Sequence, residues 1–260
     1  MSVLAETSEQ GVRKLTLSVE RPGENVPAVA WLPSSANGPW PTVLLGHGGG
    51  LHKEARYLTR LAARLVRDLG CAAVAIDHPY HGERTPAAER GLTPLERRSR
   101  MGLDAWRARN SGATDQAVAD WQATIDEVGG LGAGDAAPYG YFGLSMGTRF
   151  GVPLTAADPR IASAVFGLFG HPGAGDVDAA GFADAARRIT VPVLFLMQWD
   201  DELFPRDGAL ALFDRFGSPR KTLHANPGSH LQLPPAEMLS ALQFFRHQFH
   251  GAAQDQRPQP

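Results

Sequence analysis

One serine in the sequence has neighbours that suit a catalytic nucleophile. Ser145 lies in GLSMG (143–147), at the end of an apolar run that predicts a strand and before a segment that predicts a helix. Glycines two residues to either side leave room for a sharp turn that exposes the serine. A serine hydroxyl is a weak nucleophile at neutral pH, so it needs a neighbouring base, and that base needs an orienting group. The chemistry therefore requires a histidine and a carboxylate elsewhere in the chain.

His230 is the predicted base. It lies in GSH (228–230), after the last predicted strand and before the last predicted helix. The eight other histidines fit less well, since His224, for example, lies inside a strand pattern and His247 lies on the terminal helix. A histidine at a strand end, downstream of both the serine and an acid, matches the chain order of folds in which the serine lies on such a strand-to-helix turn.

Three acidic side chains compete for the orienting role. Asp200, Asp201 and Glu202 follow directly on the predicted strand VPVLFLMQW (191–199). In an extended chain adjacent side chains point to opposite sides, so if Asp201 faces His230 its two neighbours face away. The alternation alone leaves open which carboxylate serves.

A glycine run further upstream could bind the negative charge that develops on a carbonyl oxygen during attack. HGGG (47–50) follows a predicted strand, and its glycines have no side chain to block access to the backbone N–H groups. One donor of an oxyanion hole usually comes from such a loop and the other from the residue after the nucleophile. We assign the donors to Gly49 and Met146, with Gly48 or Gly50 as alternatives to Gly49. The run lacks the spacing of a dinucleotide site and of a phosphate-binding loop.

The elements that must position these residues alternate along the chain. Short apolar runs rich in β-branched residues alternate with segments of helical periodicity, which predicts an α/β fold with a mostly parallel sheet. The first two strands alternate apolar with polar residues and are expected at an antiparallel edge. The eight predicted strands cover residues 12–19, 28–33, 42–47, 72–77, 139–145, 161–169, 191–199 and 221–226. The predicted helices cover residues 53–69, 114–128, 146–157, 178–188, 206–216 and 235–249.

Residues 84–112 fit this alternation poorly and are too long for a bare loop. The segment holds seven arginines against three acidic residues, and we expect a small helical insertion here. Such a charge run usually forms a solvated face with ion pairs. The alternative is a partial lid whose arginines, with Arg84 at its start, contact an anionic substrate.

Length and composition are those of one soluble globular domain over residues 1–260. The net charge of −2 gives no field that favours nucleic acid or an anionic membrane, so neither is expected as a partner. Cys71 is the single cysteine, and the N-terminus lacks the basic start and apolar segment of a secretory signal, which favours the cytoplasm. We expect frayed tails over residues 1–10 and 252–260.

Taken together, the motifs resemble those of the α/β-hydrolase superfamily over roughly residues 12–250. The spacing is similar to the dienelactone-hydrolase-like and acyl-peptidase-like branches. The resemblance implies an eight-stranded, mostly parallel sheet with helices on both faces, and a Ser-His-Asp hydrolase. The motifs that carry it are HGGG (47–50), DHPYHGER (77–84), GLSMG (143–147), DDELFP (200–205) and GSH (228–230).

Within that resemblance the orienting acid is Asp201. Members commonly have an aspartate followed by two residues, an apolar residue and proline, as in DELFP (201–205). Members also often have an element related to DHPYHGER beside the oxyanion loop, so His81 and Gly82 are expected to be structural. Dienelactone hydrolases use a cysteine where this sequence has Ser145, so lactone specificity is not implied.

The sequence therefore predicts a serine hydrolase that cleaves a carboxylic ester of a small molecule through an acyl-enzyme on Ser145. The same residues support thioester or amide hydrolysis, acyl transfer and perhydrolysis, and the alternative outside enzymes is a ligand receptor on the same fold. We expect no cofactor and no metal, and the oligomeric state stays open. The residues expected to contact the substrate are Leu51, Tyr80, Arg84, Trp199 and Phe204.

Overall fold

A computed structural model of the protein describes residues 1–34, 38–132, 137–171 and 179–251. Within these ranges nine strands form one sheet, and seven helices accompany it. The strands are β1 (Ser2–Glu9), β2 (Val12–Arg21), β3 (Glu24–Pro33), β4 (Thr42–Gly46), β5 (Ala72–Ile76), β6 (Tyr139–Leu144), β7 (Ile161–Gly167), β8 (Val193–Gln198) and β9 (Lys221–Asn226). The helices are α1 (Arg56–Leu69), α2 (Pro94–Met101), α3 (Leu103–Val128), α4 (Met146–Ala157), α5 (Ala179–Arg188), α6 (Arg206–Arg215) and α7 (Ala236–His250).

The sheet is antiparallel at one edge and parallel through its centre. Its strand order is β1-β2-β3-β5-β4-β6-β7-β8-β9. The first three strands pair antiparallel, and β3 also pairs antiparallel with β5. Every neighbouring pair from β5 to β9 is parallel. This arrangement confirms the predicted α/β architecture and the predicted antiparallel edge.

The sheet has nine strands rather than the predicted eight because Ser2–Glu9 forms β1. This strand pairs antiparallel with β2 along its length. All eight of its residues are exposed, so no buried apolar face marks it in the sequence. The expectation of a frayed segment over residues 1–10 is therefore wrong for β1, which backbone pairing holds on the sheet. Residues 252–260, the other expected frayed tail, lie outside the described residues.

Helices cover both faces of the sheet. Helices α1 and α7 pack on one face, whereas α3, α4, α5 and α6 contribute side chains to the core on the other. Neighbouring residues of one strand are divided between the two cores: in β4, Leu44 packs on the α3 side, and Val43 and Leu45 pack on the α1 side. Burial on both faces explains why the central strands are continuous apolar runs.

The carboxyl ends of the parallel strands bring the candidate residues to one edge of the sheet. HGGG (47–50) follows β4, and Ser145 follows the adjacent strand β6. Asp201 comes three residues after β8, and His230 lies in the loop between β9 and α7. Open parallel sheets bind ligands at this edge. The topology therefore places all four segments where a site is expected.

The insertion at residues 84–112 is helical, as predicted. Two short 3₁₀ turns, Gly82–Arg84 and Ala87–Glu89, lead into α2, which begins with a capping box between Thr93 and Glu96. Helix α3 follows at once and packs on α4 and β2. Among the described residues, no helix combines the length and the apolar character needed to span a membrane.

Candidate active site

Ser145 occupies a strained turn between β6 and α4. Its backbone φ of 57° is positive, which residues with a side chain rarely adopt. The flanking glycines are required by close packing. A Cβ on Gly143 would lie 2.6 Å from the backbone of Gly147, and a Cβ on Gly147 would lie 2.5 Å from the carbonyl oxygen of Gly46. The turn therefore depends on the glycine spacing seen in the sequence.

The structure brings Ser145, His230 and Asp201 into one chain of hydrogen bonds. His230 Nδ1 lies 2.7 Å from Asp201 Oδ2, and His230 Nε2 lies 3.1 Å from Ser145 Oγ. A carboxylate only accepts, so Nδ1 carries the proton and Nε2 is left to accept from the serine hydroxyl. Both His230 and Asp201 are buried. This is the geometry of a nucleophile with an oriented base.

The three neighbouring acids have three different environments. Both carboxylate oxygens of Asp201 accept hydrogen bonds. Oδ2 accepts from His230, and Oδ1 accepts from the backbone N–H groups of Leu203 and Phe204 at 2.8 and 2.9 Å. Asp200 is exposed and lies 3.3 Å from the Gly228 nitrogen. Glu202 accepts from the backbone N–H of His230 at 2.9 Å, and this bond lowers the pKa of Glu202. Of the three, Asp201 is the acid that contacts the His230 ring.

Both backbone polar groups of Gly48 are hydrogen-bonded to neighbouring side chains. His47 Nδ1 donates to the Gly48 carbonyl oxygen at 2.9 Å, and the Gly48 N–H donates to Tyr57 Oη at 3.0 Å. No motif in the sequence marks Tyr57, because an aromatic residue at the start of an amphipathic helix has the pattern of a core residue. We call these three residues the Gly48 clamp.

The clamp narrows the choice of oxyanion donors. The Gly48 N–H already donates to Tyr57 Oη, so it does not suit the role of an oxyanion donor in place of Gly49. By contrast, the N–H groups of Gly49 and Met146 have no acceptor among the residues that the structure describes. Met146 is the first residue of α4, where backbone N–H groups lack a partner within the helix. Both are therefore available to a ligand.

Two buried histidines, His47 of the clamp and its neighbour His78, stay uncharged. Burial lowers the pKa of His47 to about 3, and it lowers the pKa of His78 well below its ordinary value. His47 Nε2 accepts from the backbone N–H of His78 at 3.1 Å, and Trp121 Nε1 donates to His78 Nε2 at 3.2 Å. Because Nε2 accepts a hydrogen bond in each of the two histidines, the ring proton lies on Nδ1 in both. His47 therefore donates its Nδ1 proton to the Gly48 carbonyl oxygen.

A buried ion pair joins the loop after HGGG to the loop after β5. Asp77 is fully buried and accepts from the backbone N–H groups of Lys53 and Glu83 at 2.8 and 2.9 Å. Lys53 Nζ adds a charged contact with Asp77 at 3.0 Å. Gly82 packs directly on this carboxylate, and a Cβ there would overlap it. The DHPYHGER element thus braces the segment that follows HGGG.

An apolar cleft of about 530 Å³ opens in front of Ser145 and His230. It is lined by Leu144 and Leu168, from the ends of the central strands, and by Gly48, Gly49 and Tyr57. Leu51, Leu203 and Leu231 also line it. The volume is within the range of small-molecule sites.

The residues predicted to contact the substrate do not all line the cleft. Leu51 lines the cleft. Tyr80 lines a separate cavity of about 30 Å³ together with Met146, and its ring lies 3.7 Å from the Arg109 guanidinium. Phe204 packs beside the His230 ring, with 5.7 Å between ring centroids. Trp199 lies outside the cleft and stacks under Arg206, so the structure does not place it in contact with a bound ligand.

The prediction that Arg84 contacts the substrate is wrong. Its side chain is buried and bonded to Asp120 Oδ2 at 2.6 Å and to Glu24 Oε1 at 2.9 Å. Its Nη1 also donates to the carbonyl oxygen of Asp77 at 3.1 Å. Arg84 is thus committed to the ion pairs that hold the insertion on β3 and α3, and it does not line the cleft. In the same insertion, Arg109 pairs with Glu89.

No cluster of three or more potential metal ligands occurs among the described residues. The histidines nearest the site are engaged in other ways. His81 Nδ1 lies 2.9 Å from the carbonyl oxygen of Pro79, in addition to the bonds of His47 and His78 given above.

The chain is similar to solved esterase structures over almost its whole length. A cold-adapted esterase from an Arctic intertidal metagenomic library, solved with bound PEG, is 36% identical, with a TM-score of 0.81, 96% of this chain covered and 100% of that chain covered. A putative dienelactone hydrolase from Klebsiella pneumoniae shares the fold at 20% identity, with a TM-score of 0.69 and coverage of 93% and 99%. Acetyl xylan esterase 1 from Thermoanaerobacterium shares it at 17% identity, with a TM-score of 0.67 and coverage of 96% and 89%.

No family model matches the sequence, and no curated protein matches it. The identity of 36% to the Arctic esterase, over the full length of that enzyme, carries the assignment. The nine-stranded sheet and the neighbouring dienelactone hydrolase agree with it. The chain therefore belongs to the α/β-hydrolase esterases, enzymes that act on ester bonds.

Proposed function

We propose that the protein is a serine esterase that cleaves a carboxylic ester of a small molecule through an acyl-enzyme on Ser145. The observation that carries this proposal is the continuous set of bonds from Asp201 through His230 to Ser145 at the mouth of an apolar cleft. The likeness to a known esterase over the full chain supports ester cleavage as the reaction.

In the first step Ser145 Oγ attacks the ester carbonyl carbon while its proton moves to His230 Nε2. The Asp201 carboxylate, 2.7 Å from His230 Nδ1, stabilises the imidazolium that forms. The carbonyl oxygen becomes negatively charged and takes hydrogen bonds from the N–H groups of Gly49 and Met146. Donors fixed before the reaction stabilise this charge at no cost of reorganisation.

In the second step the tetrahedral intermediate collapses. His230 Nε2 gives its proton to the leaving alcohol oxygen, and the acyl group stays on Ser145 Oγ. A water molecule then enters, loses a proton to the same Nε2 and attacks the acyl carbon. His230 returns the proton to Ser145 Oγ as the carboxylic acid leaves, so the residues end as they began.

The proposal is tested by measuring p-nitrophenyl acetate hydrolysis by the wild type and by Ser145→Ala and His230→Gln. Each variant should have a kcat about 10⁶-fold lower, because the serine, the histidine and the aspartate act together and removal of one member disables the others. Ser240→Ala, which changes a serine on α7, serves as the matched control and should keep wild-type activity. Wild-type rates in Ser145→Ala would contradict the proposal.

A further inference from the structure

The mouth of the cleft is formed by three exposed leucines. Leu51, Leu203 and Leu231 have 40%, 60% and 89% of their surface exposed, and all three also line the cleft. We call them the leucine rim. Single exposed leucines are common on protein surfaces, but a group around a pocket that holds a nucleophile marks a surface suited to an apolar ligand.

Leu231 is held outward by a closed turn. The Gln232 N–H donates to the carbonyl oxygen of Ser229 at 3.0 Å, and the Ser229 N–H donates to Gln232 Oε1 at 2.9 Å. The preceding residue, His230, is fixed by Glu202 and Asp201. The exposure of Leu231 is therefore set by the same bonds that position the base, next to the reacting atoms.

The electrostatics of the cleft disfavour an anion. None of the described residues that line it is a lysine or an arginine. The charged groups that contact His230 are the carboxylates of Asp201 and Glu202. In the insertion, Arg84 and Arg109 are paired with acids away from the cleft. A carboxylate entering the cleft would lose water without gaining a cationic partner.

We propose that this cleft binds the apolar chain of an uncharged ester and that the leucine rim sets the preference for chain length, with Leu231 as a specificity-determining residue. This inference rests on the esterase function proposed above. It is opposed to the alternative, raised by the arginine-rich insertion, of an anionic substrate. The ligand class follows from the apolar lining, from the volume of about 530 Å³ and from the absence of a cation among the lining residues that the structure describes.

Two ester series test the preference for apolar chains. One lengthens the acyl group of p-nitrophenyl esters from acetate to octanoate, and the other lengthens the alcohol of alkyl acetates over the same range. Each methylene that leaves water should raise kcat/KM about fourfold until the chain reaches beyond the rim. A rise in either series supports the inference, and a flat or falling profile in both overturns it.

A length-matched pair tests the exclusion of charge. The mono-p-nitrophenyl ester of adipic acid differs from p-nitrophenyl hexanoate by a terminal carboxylate. Its kcat/KM, corrected for spontaneous hydrolysis, should be lower by about tenfold or more, because the carboxylate must be desolvated without a partner. Equal or faster cleavage of the charged ester would overturn this part of the inference.

Substitution of a rim leucine tests whether the leucine rim sets the preference for chain length. Leu231→Ala should lower the ratio of kcat/KM for octanoate to that for acetate by about fivefold. Leu239→Ala is the matched control, since Leu239 is 44% exposed but lies on α7 outside the cleft lining. Its ratio should equal that of the wild type. Equal ratios for Leu231→Ala and the wild type would remove Leu231 from the proposed role.

These results separate the inference from the function on which it rests. If no ester is cleaved and a fluorophosphonate leaves Ser145 of the folded protein unlabelled, the proposed function fails. If Ser145 is labelled and short esters are cleaved, but neither chain length nor charge changes kcat/KM, the function stands and the inference about the apolar chain fails.

Discussion

Tyr57 Oη accepts a hydrogen bond from the backbone N–H of Gly48 across a distance of 3.0 Å. His47 is bonded to the carbonyl oxygen of the same residue, so the N–H and the C=O of the first glycine in HGGG are both held. The following N–H, that of Gly49, is left free of acceptors within the described part of the chain. The clamp thus excludes the Gly48 N–H, and of the two glycines that remain, Gly49 lines the cleft whereas Gly50 does not.

Removing the Tyr57 hydroxyl should lower catalysis more than binding. Tyr57→Phe keeps the ring against the cleft but leaves the Gly48 N–H without its acceptor, so the loop that carries Gly49 becomes less well oriented. Direct loss of an oxyanion donor costs about 10²–10³-fold in kcat, and an indirect loss should be smaller, about tenfold. Steady-state kinetics on p-nitrophenyl acetate should show a lower kcat with KM nearly unchanged.

Arg60→Gln provides the comparison for Tyr57→Phe, because it changes an exposed residue on the same helix. It should leave both constants at their wild-type values. A change in KM alone in Tyr57→Phe would show that the tyrosine contacts substrate rather than positions the oxyanion loop, and unchanged constants would exclude both roles.

The two adjacent aspartates should respond very differently to the same substitution. Asp201→Asn removes the acceptor that fixes the His230 tautomer and should reduce kcat by about 10⁴-fold. Asp200→Asn changes an exposed carboxylate that lies near Gly228, and it should reduce kcat by less than about tenfold. Parallel kinetics of the two variants decide the assignment. A larger loss in Asp200→Asn would show that the wrong acid has been chosen.

The brace on the segment that follows HGGG should tolerate no side chain at Gly82. Gly82 has a φ of 56° and packs against the Asp77 carboxylate. Gly91 also has a positive φ, 80°, but no atom lies within 4 Å of the position that an added Cβ would occupy. Gly91→Ala should therefore cost about 1–2 kcal/mol from backbone strain alone, whereas Gly82→Ala should cost more than about 3 kcal/mol.

Urea unfolding of the two glycine variants measures this difference. The strain at positive φ is common to both, so the difference between their free energies of unfolding reports on the contact with Asp77. Equal losses would mean that the loop around Gly82 moves away at little cost and that the brace is weak.

The buried histidines predict a loss of stability in acid. The pKa of His47 is about 3 in the folded protein against an ordinary value of 6.5, and those of His78 and His81 are also lowered by burial. At a pH between the lowered pKa of each histidine and its ordinary pKa of 6.5, the unfolded chain binds more protons than the folded chain. The free energy of unfolding therefore rises with pH in this window and falls as the pH drops from about 6.5, by up to about 1.4 kcal/mol per pH unit for each histidine.

Unfolding measured between pH 7 and pH 4 checks the sign and the source of this dependence. His47→Asn should show a shallower slope, whereas His247→Asn, which alters an exposed histidine on α7, should keep the slope of the wild type. If stability rose on acidification, or if both variants kept the full slope, the buried histidines would not be the cause.

The parts of the site that the sequence predicted are those encoded by local pattern. Glycines must flank Ser145 because the turn leaves no room for a Cβ, and this requirement is visible as GLSMG. The order of strands and helices is visible because central strands are apolar on both faces. Asp201 could be selected because a motif fixes its register.

The parts that were wrong or missed depend on contacts between distant residues. β1 was missed because all of its side chains are exposed and only backbone pairing holds it. Arg84 was misassigned because an excess of arginines in one segment does not reveal the partners, Asp120 and Glu24, that neutralise it from other elements. Tyr57 was missed because its contact with Gly48 crosses a loop that no pattern describes.

The central claim is that Ser145 is the activated nucleophile, and covalent labelling tests it most directly. The folded wild-type protein is treated with a fluorophosphonate, and the modified peptide is identified by mass spectrometry. We expect one adduct, on Ser145, that forms much more slowly in Asp201→Asn and does not form in Ser145→Ala. Absence of an adduct on the folded protein, or an adduct on another residue, would contradict the account.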